Sequence, residues 1–128
     1  MADLNIGTEN LTGVTRGMPL VNVWVFTFTT AGSTTWVEGD LDDWTWRFRV
    51  YEEEHSTTTV FDKTGSDTEL SVVLTGSTST AVATLTLTIA SATTAALSRS
   101  IKSFYRLDAL DAEGETQARI QGKFPIET

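Results

Sequence analysis

The stretch Ala81-Val-Ala-Thr-Leu-Thr-Leu-Thr-Ile89 decides the class of fold. Ala81, Ala83, Leu85, Leu87 and Ile89 fall on one face, with Thr84, Thr86 and Thr88 on the other. A period of two is the mark of a half-buried strand and not of a helix. Ser91-Ala-Thr-Thr-Ala-Ala-Leu97 follows and predicts a single helical turn, with a hydroxyl residue placed to cap it. Ser103 to Leu110 alternates again, with Tyr105, Leu107 and Ala109 on one face. From Thr116 to Ile126, Ala118, Ile120, Phe124 and Ile126 point inward and Gln117, Arg119, Gln121 and Lys123 outward. Between these two runs lies Asp111-Ala-Glu-Gly-Glu115, with Gly114 available for a positive φ. Residues 103–126 therefore read as a hairpin.

The same reading extends upstream. Met18 to Thr30 places Val21, Val23 and Val25 on one face and Trp24, Phe26 and Phe28 on the other. With both faces apolar, this strand is expected to be covered on both sides or to lie at a subunit contact. Trp44-Thr-Trp-Arg-Phe-Arg-Val50 turns Trp44, Trp46, Phe48 and Val50 inward, and its ring content puts it at the centre of the core. Shorter strands are expected around 58–62 and 68–74, separated by turns rich in Gly, Ser and Asp. About seven strands and no ordinary amphipathic helix indicate an all-β chain, an antiparallel β-sandwich of immunoglobulin-like type. The Cys…Trp…Cys spacing of antibody domains is missing. Residues 1–17 show no sustained period, only the scattered Leu4, Ile6, Leu11 and Val14. They are expected to be an N-terminal arm, frayed or ordered against a neighbouring subunit, ahead of a β-sandwich domain over 18–128.

Composition narrows the function. The chain has 128 residues, enough for one core. Its formal net charge is −8 with nine Lys and Arg, which read as too thinly spread to give the basic face that nucleic acid requires. An anionic membrane surface would repel it, and no apolar run reaches the roughly 18 residues of a membrane helix. The N-terminus has no basic region followed by an apolar one, so the expectation is synthesis in the cytosol without a signal peptide. With no cysteine there is neither a disulfide framework nor thiolate chemistry.

Chemistry-bearing motifs are scarce. His55 is the only histidine and follows three glutamates in a predicted turn, with no nucleophile elbow to pair with it. Asp40/Asp42/Asp43, Glu52/Glu53/Glu54 and Asp108/Asp111/Glu113 are acidic clusters, but none has the spacing of a calcium loop. No phosphate loop and no zinc spacing is present. The expectation is a protein with no catalytic residue, no cofactor and no metal. Trp44 and Trp46 share an inward face and belong to the core. Trp24 and Trp36 are less constrained and could anchor an interface or stack on a sugar.

The run Leu85-Thr-Leu-Thr-Ile-Ala-Ser-Ala-Thr-Thr-Ala-Ala-Leu97 is followed by Phe104-Tyr-Arg-Leu-Asp108, Asp111-Ala-Glu-Gly114 and Gln121-Gly-Lys-Phe-Pro-Ile126. Together with Gly39-Asp-Leu-Asp-Asp-Trp-Thr-Trp-Arg-Phe-Arg-Val50, these resemble the N-terminal immunoglobulin-like domains of phage baseplate upper proteins and related small phage tail proteins. The resemblance spans about residues 18–127 and rests on turn glycines and core positions. Family members often continue into a fibre or receptor-binding region, and the resemblance here is to the domain that precedes it. The resemblance implies a non-enzymatic virion structural protein, made in the host cytoplasm. It would be a tail, baseplate or fibre adaptor that contacts other virion proteins and forms a homo-oligomer within the assembly. A capsid decoration protein and a carbohydrate-binding module for host surface glycan are the alternatives. The residues expected to bind partners are Leu4, Ile6, Leu11, Trp24 and Trp36.

Overall fold

The computed structural model describes residues 5–8, 11, 14–29, 36–37 and 39–127. Its elements run β1 (Asn5–Thr8), β2 (Val14–Thr15), β3 (Leu20–Thr29), β4 (Thr45–Tyr51), β5 (Thr59–Thr64), β6 (Leu70–Gly76), β7 (Thr80–Ile89), α1 (Ser91–Ala96), β8 (Phe104–Leu110), β9 (Thr116–Lys123) and β10 (Ile126–Glu127). Seven of these strands, β3 to β9, are six residues or longer. One sheet has the order β1-β9-β8-β4-β5 and the other β3-β7-β6, with a small β10-β2 pair beside them. Every pairing among the seven long strands is antiparallel. If β3 to β9 are lettered B, C, C′, D, E, F and G, the two orders become G-F-C-C′ and B-E-D. The fold is an immunoglobulin-like β-sandwich.

The alternation of β7 works as its sequence requires. Ala81, Ala83, Leu85, Leu87 and Ile89 are all at most 1% exposed, and the threonines between them face outward. The two sheets meet through rings. Trp24 on β3 lies 5.6 Å from Phe48 on β4 and 5.8 Å from Tyr105 on β8, and Phe48 stacks on Tyr105 at 5.7 Å. These rings stand on the strands lettered B, C and F, the strands on which antibody domains carry their inter-sheet disulfide and its tryptophan. Each ring pair contributes about 0.5–1.5 kcal/mol beyond burial. With Phe26 on β3 lying 5.2 Å from Trp46 on β4, three such pairs cross between the sheets and together approach the ~2–4 kcal/mol of a disulfide. The core thus ties its sheets together without cysteine.

The hairpin over 103–126 is present as β8 and β9, with Tyr105 opposite Gly122, Leu107 opposite Ile120 and Ala109 opposite Ala118. Gly114 takes φ +83° in its turn. Asp111 Oδ1 accepts the N–H groups of Glu113 (3.0 Å) and Glu115 (2.9 Å). Gln117, expected to point outward, is buried because its Nε2 donates to Asp111 Oδ2 at 2.7 Å. The helical turn also differs from expectation. Its N-cap is Ala90, which makes no side-chain capping bond. The hydroxyl that matters is that of Thr94, which is fully buried. Its Oγ1 lies 2.8 Å from the Met18 carbonyl and 3.0 Å from that of Ser91, and it accepts the Gly17 N–H at 3.1 Å.

The described residues among the first 17, which are 5–8, 11 and 14–17, lie against the sandwich. Asn5–Thr8 pair in parallel with Ala118–Gln121, and Val14 and Thr15 pair with Ile126 and Glu127. Val14 is buried in the core, and Leu11 packs against it while its N–H donates to the Lys123 carbonyl at 3.0 Å. The physical reason is that β9 and β10 have unpaired edges, which these short segments satisfy. Runs of two to four residues are too short for any period to be read.

Candidate functional site

The outer face of the β3-β7-β6 sheet carries no charge. Register places Val23 beside Thr86 and Ser71, Val25 beside Thr84 and Val73, and Thr27 beside Val82 and Thr75, with Val21 next to Thr88 at one end. Val21 is 62% exposed, Val23 53%, Val25 56% and Val73 54%. Isolated exposed aliphatics are ordinary, but valines in adjoining rows on a regular sheet form a patch, and patches mark interaction surfaces. The strand read as apolar on both faces therefore buries one and leaves the other uncovered.

The edge of this sheet reinforces the patch. In a constant-type immunoglobulin domain the first strand flanks B. Here the N-terminal strands pair with β9 and β10 instead. Among the described residues, no backbone hydrogen bond reaches β3 from its outer side. β3 is ten residues long, uncharged, and paired with β7 without a bulge, so it lacks the shortness, charge and bulges that commonly protect an edge strand.

The residues expected to bind partners are placed differently. Trp24 is only 2% exposed and cannot serve as a surface anchor, because the strand alternation turns it into the inter-sheet core. Trp36 is half-buried, packed 4.8 Å from Phe28 and 5.7 Å from Trp44. Leu11 is occupied by the core of its own chain. Ile6 lies on β1 opposite Arg119 in the register, and Leu4 lies outside the described residues. The valines of β3 were visible in the sequence as an apolar face. What the sequence could not show is that, among the described residues, none covers them.

The opposite outer face, on β4, β8 and β9, is polar and organised around arginine. Asp108 is fully buried and accepts from Arg49 at 2.7 Å and Arg119 at 2.5 Å. It is thereby removed from the acidic cluster with Asp111 and Glu113. Arg47 binds Asp62 through both Nε and Nη2. This hydrogen-bonded pairing holds the Asp62 carboxyl below its ordinary value of 3.8 and raises the Arg47 guanidinium. Cations that looked scattered in sequence are gathered here, because β4, β8 and β9 are adjacent. His55 is exposed in the turn after β4, beside a cleft lined by Glu53, Glu54, Lys102 and Phe104. Among the described residues no group of three His, Cys, Asp or Glu could hold a metal ion, and no helix is long and apolar enough to cross a membrane.

Compared with family models, curated proteins and solved structures, the chain has no match.

Proposed function

We propose that this chain is a non-enzymatic structural protein of a phage virion, which joins tail, baseplate or fibre components through protein–protein contacts. The observation that carries the contact reading is the uncharged Val/Thr face of β3-β7-β6 with its open β3 edge. Copies of a chain with net charge −8 repel one another, and an uncharged face is where two of them can meet without placing like charges together. The virion setting rests on the sequence resemblance in residues 18–127.

The size of the face also suits a repetitive assembly. Three strands about 4.8 Å apart and some seven residues long cover on the order of 350 Å² in plan. A standard interface buries ~800 Å² per partner. A single contact of this size is weak, and many of them in a lattice or ring become strong by avidity.

A carbohydrate-binding module would need an exposed aromatic platform. All twelve aromatic side chains are buried or half-buried, which favours protein over sugar as the partner. A capsid decoration protein could use the same face and would differ in copy number. Mass spectrometry of purified phage particles from the source strain tests the proposal. The chain is expected in the particles at tail-like stoichiometry. Capsid-like stoichiometry would favour decoration, and presence in the lysate but absence from particles would refute a virion role.

A further inference from the structure

We infer that the arginine-lined cleft on the outer face of β4, β5 and β8 is a binding site for a phosphate group, either free or carried as a monoester. The cleft has a volume of about 380 Å³ and is lined by Arg47, Arg49, Arg106, Tyr51, Asp62 and the hydroxyl residues Ser56, Thr57 and Thr59.

Three observations point to an anion. First, Arg49 and Arg106 stand directly opposite each other on adjacent strands, and like charges in that position destabilise a sheet. Both guanidinium groups crowd over the one ring of Tyr51, at 5.7 Å and 4.9 Å from its centroid. Second, the carboxylates on this face do not balance the cations. Asp62 is engaged by Arg47, and Asp108 is shared between Arg49 and Arg119. Arg106 donates instead to the Glu54 carbonyl at 2.9 Å and to Gln121 Oε1 at 3.4 Å. Of the three guanidinium groups that line the cleft, Arg47 is matched by Asp62 and Arg49 has a share of Asp108, which leaves Arg106 as a surplus positive charge bonded to no carboxylate. Third, Arg49 Nε is buried and has no hydrogen-bond partner. An arrangement that forgoes stability in this way is expected where a ligand compensates.

The surplus selects the ligand class. A phosphate or phosphomonoester carries −1.5 to −2 charge near neutral pH, and guanidinium forks match its oxygens in pairs. The cleft exceeds the volume of a bare phosphate and leaves room for whatever carries the group.

Inorganic phosphate and glycerol phosphate, titrated into the full chain at constant ionic strength against chloride and followed by NMR of backbone and arginine Nε–H signals, test the inference. Saturable shifts confined to residues of the cleft are expected. Arg106→Gln should weaken binding at least tenfold, and in chloride alone it should melt no lower than the parent. Asp62→Asn, which removes the competing carboxylate, should tighten binding. Response to the ester as well as to free phosphate identifies a carried group, and response to free phosphate alone identifies the ion. Unsaturable or dispersed shifts, or an Arg106→Gln protein that binds as well as the parent, would overturn the site. A marked loss of stability for Arg106→Gln in chloride would assign Arg106 to the fold instead. Because the cleft lies on the sheet opposite the valine face, none of these results bears on the virion contact proposed above.

Discussion

At the scale of single residues, partner identity decided what alternation alone could not. Trp24 was visible as an aromatic on an apolar strand, but nothing in its own neighbourhood says whether the valine side or the tryptophan side turns inward. That depends on Phe48 and Tyr105, which are distant in sequence and lie within 6 Å of it. Asp108 is similar. In sequence it sits near Asp111 and Glu113, whereas in the fold it is held by Arg49 and Arg119. The Arg47–Asp62 pair gives a pH prediction. Because the folded Asp62 carboxyl is held below 3.8, its contribution is fully present above the unfolded value and is lost as pH falls through the folded one. Asp62→Asn should cost about 0.2–1 kcal/mol near neutral pH, the range for a partly exposed pair. Urea melts at a series of pH values should show this difference vanishing toward pH 2. A difference that persists there would mean that the two residues do not interact as a charge pair.

At the scale of elements, the long strands were legible and the short pieces were not. Seven to ten residues of strict alternation, as in β7, identify a strand from its own sequence, and the hairpin was marked by Gly114 and the acidic turn around it. In that turn Gly114 holds φ +83° with open space where a Cβ would stand. Gly114→Ala should therefore cost on the order of 1–2 kcal/mol through backbone strain alone. Thermal melting measures this, and an unchanged midpoint would show that the turn relaxes to another conformation. By contrast, β1, β2 and β10 have two to four residues each and owe their form to the edges of β9 and to each other. The single turn α1 was anticipated but its anchoring was not, because Thr94 acts on Gly17 and Met18 some 76 residues away.

At the scale of the whole molecule, charge distribution separates two outer surfaces. One sheet presents Val, Thr and Ser without a charge; the other presents a lattice of arginine and aspartate. Neither could be read from the net charge, because both depend on which strands become neighbours. The central claim is that the uncharged face mediates assembly. Sedimentation of the full chain over a wide concentration range, compared with a Val23→Lys/Val73→Lys double variant, tests it most directly. Both positions are more than half exposed, so the substitutions should leave the fold intact, as far-UV circular dichroism would verify. The parent is predicted to associate reversibly as concentration rises, and the folded variant to remain monomeric throughout. A parent that stays monomeric at every concentration, or a variant that associates just as strongly, would contradict the account.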